Sequence, residues 1–316
     1  MGDNKEKKDL LEWVPLVLLL ALVCDLLWGS AFPCIKLGYS YLKIESSDIA
    51  AQILFAGTRF TLAGIMVILV NCIRARKFVY PASRKSWERT LALSSFQTVL
   101  QYLFFYIGLA KTTGVKASII EAANVFICIF VSSLVFRLEK LTPQKLLGSL
   151  IGFAGIVVIN LQGLQFDFHT GDVLIFISTF SAAMSSVLLK KFADEEDTVL
   201  LSGYQFFVGG VVLSILGILG GGKFDHLTLP GMGMLVYLAF VSAMAYSVWA
   251  VLLAHNPVSR IAVLGFLNPV CGVILSAFLL GETQHAFGAR SVLALLLVSM
   301  GIFIVYRKKQ PGGVTQ

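Results

Sequence analysis

At 316 residues the chain is long enough for two soluble domains, but 57% hydrophobic residues, 14% charged residues and a mean hydropathy of +0.83 exclude an ordinary soluble fold. The net charge of +7 does not point to nucleic acid, because the Lys and Arg residues sit in short clusters between apolar runs and not on one amphipathic face. Five cysteines lie in or beside apolar runs without a CxxC, and His169, His226, His255 and His285 lie in connections, so neither a disulfide framework nor a metal centre is expected.

The N-terminus, MGDNKEKKDLLEWVPLVLLLALVC, has the basic start and apolar core of a signal peptide but no small-residue cleavage site, so an uncleaved first helix is expected. A membrane-spanning helix needs about 20 largely apolar residues. Ten stretches qualify, near 14–37, 49–72, 90–110, 115–136, 143–162, 171–190, 198–220, 233–254, 260–280 and 288–306. The longest connection, 73–89, leaves no room for a soluble domain. With the N-terminus inside, 18 Lys and Arg residues fall on the cytoplasmic side and five outside, which places both termini in the cytoplasm.

The chain repeats itself. GFLNPVCGVILSAFLLGE at 265–282, shifted back by 143 residues, lands on AANVFICIFVSSLVFRLE at 122–139, with Cys128, Ser133 and Glu139 matching Cys271, Ser276 and Glu282. GSLIGFAGIVVI at 148–159 and LALLLVSMGIFIV at 293–305 continue the echo. Five spans per half is odd, so the halves 1–165 and 166–316 enter the membrane in opposite senses. The expected fold is an all-α integral membrane protein of ten transmembrane helices in two inverted five-helix repeats, joined at a seam around 161–170.

WGSAF at 28–32, GTRFTLAG at 57–64, the acidic stop at Glu139, NPV at 268–270 and LLGE at 279–282, in that order from about 20 to 306, resemble the ten-helix drug/metabolite transporter superfamily, EamA branch. The resemblance implies a secondary active or facilitative transporter, exporting a small amphipathic metabolite such as an amino acid, or a drug, by alternating access. It implies a bacterial cytoplasmic membrane. Two positions depart from the family pattern: Phe126 stands where the fourth helix usually has proline, and Ser181 or Ala182 where the sixth often has tryptophan.

Charged side chains in hydrocarbon cost several kcal/mol unless they face a cavity or a partner, so those within spans are site candidates. They are Asp25, Lys36, Arg59 and Glu121. Asp25 and Arg59 either touch substrate or tie two helices as an ion pair. Glu121 shares a stripe with Ser118, Asn124 and Cys128; it binds a cationic part of the substrate or a proton, or it pairs with Lys36 or Lys116. Further polar and aromatic stripes at helical spacing are Trp28 and Phe32 with Asp25 and Lys36, Gln97 and Gln101 with Phe104 and Gly108, Ser178, Ser181 and Ser185, and Ser242, Tyr246 and Trp249. Asn268 and Pro269 open helix nine, and Gly148 with Gly152 form a GxxxG contact. The acidic run 193–197, ADEED, reads as a solvated loop.

The substrate-binding candidates are therefore Asp25, Trp28, Phe32, Arg59, Gln101, Glu121, Asn124, Tyr246, Trp249 and Asn268. No catalytic residue, cofactor or metal is expected. The chain lacks a nucleophile with its base and a Walker motif, which argues against an enzyme and against direct use of ATP. Expected partners are a small-molecule substrate, the lipid bilayer and protons, with a homodimer open and no nucleic acid. Two alternatives stand: a nucleotide-sugar or phosphorylated-sugar exchanger of the same superfamily, which would need more cavity cations than Arg59 and Lys36, and a non-transporting membrane receptor.

Overall fold

The computed structural model describes residues 10–112, 114–159, 161, 169–280 and 289–307. Among these there is no strand. Helix α1 (Val14–Leu42) has proline in its first turn and runs through Pro33. Helix α2 (Ile49–Ala75) begins at Asp48, which accepts a hydrogen bond from the Ala51 N–H at 2.9 Å, and stops at Arg76 in the left-handed region. Helix α3 (Arg84–Leu109) is capped by Ser83 and contains a π turn at Ser94–Leu100. The fourth helix is two pieces, α4a (Gly114–Ala122) and α4b (Asn124–Phe130), followed by a π turn at Val131–Val135. Then come α5 (Pro143–Ile159), α6 (Thr170–Phe192), α7 (Thr198–Leu219) and α8 (Leu229–His255). The ninth is also split, into α9a (Val258–Leu264) and α9b (Leu267–Leu280), and α10 is Ala289–Tyr306.

Among the described residues, seven helices are long and apolar enough to cross a membrane: α1, α2, α3, the α4 stretch Lys116–Val135, α6, α7 and α8. Shorter apolar helices lie at Pro143–Val158, Val258–Gly272 and Val292–Tyr306. Their outer faces carry bare apolar side chains, including Val70, Leu219 and Phe303, as a lipid-facing surface requires.

Small residues set the packing. Gly203, Gly210 and Gly217 recur every two turns on α7 and face Val67, Thr61 and Leu54 of α2, so the two helices run antiparallel with backbones in contact. A Cβ at Gly217 would sit 2.6 Å from the Leu54 amide nitrogen. Gly217→Ala is therefore expected to force α2 and α7 apart and to cost about 2 kcal/mol, read as a lower thermal midpoint of the purified protein, whereas Gly233→Ala, which meets open space, leaves it unchanged. The Gly148 and Gly152 contact forms as expected: a Cβ on Gly301 of α10 would lie 2.5 Å from the Gly148 oxygen and 2.7 Å from the Gly152 nitrogen. Further pairs are α1 with α8 and α9b, α3 with α6, α4b with α6, and α4b with α9a.

The acidic run is more than a solvated loop. Glu195 pairs with Lys85 at 2.7 Å and Arg89 at 2.6 Å, and Glu196 pairs with Arg89 at 2.7 Å and accepts from Ser86 at 2.8 Å, so the loop before α7 is tied to the start of α3. The hydrogen bond from Lys85, then that from Arg89, holds the Glu195 carboxyl down at about 2 against an ordinary 4.5. Because the folded value is depressed, this stabilisation is present above about 4.5 and is lost as pH falls toward 2. The difference in thermal midpoint between wild type and Glu195→Gln should be small, since the pair is exposed, and should close over that window.

Candidate functional site

Both broken helices border one cavity of about 660 Å³. In α9 the cause is local. Pro269 has no N–H to donate to the Gly265 carbonyl, and the chain makes tight turns there instead, with Gly265 N, Phe266 N and Asn268 N reaching back three residues. In α4 no proline is present, yet the helix breaks at Ala123, whose N–H reaches back to the Ile120 carbonyl at 3.0 Å. Asn124 supports this break from the side. Its Nδ2 donates to the Thr179 carbonyl of α6 at 3.3 Å and its Oδ1 accepts from Cys128 Sγ at 3.4 Å.

Eight of the ten sequence candidates line the cavity: Trp28, Arg59, Gln101, Glu121, Asn124, Tyr246, Trp249 and Asn268. Asp25 does not; it is fully covered, and both carboxylate oxygens lack a hydrogen-bond partner among the described residues. The Phe32 side chain lies outside the described residues, as do Glu282, Gly281 and the 162–168 part of the seam.

Among the described residues, neither the Asp25–Arg59 pair nor a Glu121–Lys116 pair forms. Arg59 is 4% exposed and its Nε has no partner, because the guanidinium lies over the rings of Phe60 at 4.4 Å and Tyr102 at 5.6 Å and not against Asp25. Lys116 approaches Asp172 at 3.5 Å instead of Glu121. Asp172 also accepts from Thr112 and from the His169 N–H, which fastens the start of α6 to the α3–α4 turn. Glu121 is left half-buried on the cavity wall.

Aromatic rings form the opposite wall. Trp28 packs edge-on against Tyr246 at 5.1 Å and Trp249 at 5.0 Å, and the Tyr246 hydroxyl meets that of Tyr102 at 2.9 Å. A guanidinium, a carboxylate, amides and ring faces therefore share one chamber. Such a chamber suits a ligand with an anionic end, a cationic end and an apolar body.

Sequence reasoning missed Tyr102, Phe105 and Tyr106 and named Phe104 and Gly108 in their place. The π turn at Ser94–Leu100 is the reason, since it adds a residue to one turn and rotates everything after it by roughly a quarter-turn. Gln97 and Gln101 still line the cavity, while Gly108 packs on Gly171 and Ile175 of α6. On α6, Ser178 and Ser185 line the cavity but Ser181 does not; Thr179, Ala182 and Ser186 do.

The end of the cavity nearest the α1 N-terminus is filled by a core that includes Val17, Ala21, Val187, Leu188, Leu252, Val258 and Ile261. Beside it Glu139 is held four times: by Ser132 Oγ at 2.7 Å, by the Ser259 N–H at 3.0 Å and Oγ at 2.7 Å, and by Lys145 Nζ at 2.9 Å. One carboxylate thus ties the end of the fourth helix and the start of α5 to the N-terminus of α9a. At the opposite end Lys36 is both exposed and part of the cavity wall, so the chamber reaches the surface there.

The comparisons with known proteins agree with this architecture. The model of the EamA-like transporter family matches twice, over residues 15–161 and 169–307. The chain is 27% identical over 291 residues to an uncharacterised transporter, YvbV, of Bacillus subtilis (strain 168), covering 90% of each chain. It is 27% identical over 312 residues to a probable amino-acid metabolite efflux pump of Salmonella typhimurium (strain LT2), covering 93% of this chain and 98% of that one. A solved crystal structure shares the fold with a TM-score of 0.73 at 18% identity, over 92% of this chain and 96% of the other. The chain belongs to the EamA-like transporter family, an integral membrane transporter and not an enzyme.

Proposed function

We propose that the protein is a secondary transporter in a bacterial cytoplasmic membrane that exports a small amphipathic zwitterion, an amino acid or a close relative, by alternating access. In this reading the short helices α5, α9 and α10 also span, giving ten spans in two inverted halves, 1–165 and 166–316, with both termini in the cytoplasm. Three observations support the halves. The family model matches once in each. The antiparallel pairs α2–α7 and α5–α10 join helices that hold the same place in each half. The two helix breaks, at Ala123 and at Gly265 to Phe266, are 143 residues apart within one residue, the offset of the repeat.

The observation that carries the substrate class is the chamber itself, which sets Arg59 and Glu121 among aromatic rings, with Asp25 not on Arg59 and Lys116 drawn to Asp172. Arg59 would take the carboxylate, Glu121 the ammonium, and Trp28, Tyr246 and Trp249 the apolar part. The efflux-pump relative supports amino-acid chemistry and the outward direction. The sealed end beside Glu139 is then the cytoplasmic gate. Protons serve as the second partner if the carboxylates of the chamber titrate during turnover, and the outer apolar faces leave room for a homodimer. The test is a substrate screen on proteoliposomes with and without a pH gradient. Counterflow of a labelled amino acid supports the reading; movement of nucleotide sugars alone, or ligand binding without movement, would sink it.

A further inference from the structure

Asp25 has no place in the chamber, yet it is fully covered and unpartnered. Among the described residues no ion pair reaches it. The Asn268 Oδ1 atom is likewise covered and without a donor, although the residue lines the chamber. Buried acceptors left this way demand an explanation, because each costs a large part of a hydrogen bond to strip of water.

The packing places the two residues together. Helix α1 runs antiparallel to α8: Asn256 Nδ2 donates to the Leu11 carbonyl, Cys24 Sγ to the Ala245 carbonyl, and Gly38 lies against Met234. Helix α9 starts just after α8 ends, at the level of Leu11, and so runs parallel to α1. The two cross at Gly29, where a Cβ would lie 2.9 Å from the backbone of Cys271 and Gly272. One turn back from that crossing, by helical spacing, stand Asp25 on α1 and Asn268 on α9b, and Asp25 is close enough to α9b to act electrostatically on Cys271. The titratable groups that face Asp25 are the thiols of Cys24 on its own helix and Cys271 on α9b. Helix α8 brings the Ala245 backbone and no charge. The nearby Trp28 Nε1 is one unpartnered donor against three acceptor oxygens. The α9 break adds a further acceptor, since Pro269 cannot donate to the Gly265 oxygen, which among the described residues accepts only the Asn268 N–H at 3.2 Å and keeps its second lone pair.

We propose that Asp25 and Asn268, with the second lone pair of the Gly265 carbonyl at the α9 break, bind a sodium-sized monovalent cation. Hard oxygen ligands with a single carboxylate match the charge and softness of such an ion better than a divalent metal, which gathers more carboxylates. Unwound helix carbonyls near the centre of a transporter bundle are a recurring place for a coupling ion. The ion neutralises Asp25 and fixes Asn268 and Trp28, both of which face the substrate, so it couples to transport. That coupling rests on the transporter reading; the binding itself does not.

The test measures binding without substrate. The purified full chain in detergent is heated in sodium chloride, potassium chloride or choline chloride at equal ionic strength, and 22Na binding is measured in parallel. A thermal midpoint that rises with sodium and not with choline, together with saturable 22Na binding, is the expected result. Asp25→Asn should abolish both while helical circular dichroism is unchanged. Should Asp25→Asn fail to fold, Asn268→Leu serves, with sodium affinity expected to fall by more than about tenfold. Equal midpoints in all three salts, or sodium binding retained in the variants, overturns the site. A midpoint that follows pH but not sodium overturns the ion and assigns Asp25 to a proton. Sodium binding by a chain that moves no substrate would keep the site and overturn the transporter reading alone.

Discussion

Replacing Arg59 with leucine is expected to reduce transport of the substrate identified in proteoliposomes by about thirtyfold in efficiency without lowering thermal stability. The magnitude follows from losing a hydrogen bond to a charged group, about 2 kcal/mol, at about 1.4 kcal/mol per tenfold. The stability half of the prediction is the diagnostic one. Removing one member of a buried ion pair is strongly destabilising, because the other charge is stranded. Among the described residues Arg59 has no carboxylate partner and lies over ring faces, so no buried charge is stranded when it goes. A fall in both transport and melting temperature would make Arg59 a structural residue. The charge assignment has its own check. A substrate analogue without the carboxylate should be insensitive to Arg59→Leu, and one without the amine insensitive to Glu121→Gln. Unchanged transport of the full substrate by Glu121→Gln at every pH would remove Glu121 from the mechanism.

Glu139→Gln is expected to unlock the opposite end of the chamber. The wild-type carboxylate accepts from Ser132, from the Ser259 N–H and hydroxyl, and from Lys145. The amide keeps one acceptor, loses the charge that Lys145 answers, and turns an NH₂ toward groups that already donate. A loss of about 2 kcal/mol from the closed state shifts the closed-to-open ratio by about thirtyfold. The measurement is the labelling rate of Ser186→Cys, a cavity position, by an impermeant thiol reagent added from the Glu139 side, in a chain whose five native cysteines are replaced. Glu88→Gln, which breaks only the exposed pair with Arg84, is the control and should label as wild type. Equal labelling in Glu139→Gln and wild type would show that Glu139 braces the fold and does not gate.

The sequence by itself determined the class of protein, its all-helical build and most of the chamber lining. Apolar runs of spanning length leave little choice in a bilayer, where backbone groups must be satisfied within the segment. Stripes at helical spacing therefore transferred well: Ser118, Glu121, Asn124 and Cys128 all line one cavity even though the helix breaks among them. Glycine spacing announced a close helix contact on α5 for the same reason, and the structure supplies α10 as the partner, with Gly301 against Gly148 and Gly152.

Only the tertiary structure decided what each charge meets. Two charged side chains within spans pair only if their helices turn the right faces toward each other, and the sequence does not say which faces meet for Asp25, Arg59 and Lys116. The bundle turned Arg59 onto Phe60 and Tyr102 and Lys116 onto Asp172, and left Asp25 fully covered without a hydrogen-bond partner among the described residues. The same holds for α3, where one π turn moved Tyr102, Phe105 and Tyr106 into the wall and carried Gly108 away from it. Sequence periodicity assumes a constant number of residues per turn, and the π turn, which packs against α6 and α7, breaks that assumption at the segment that shapes the cavity.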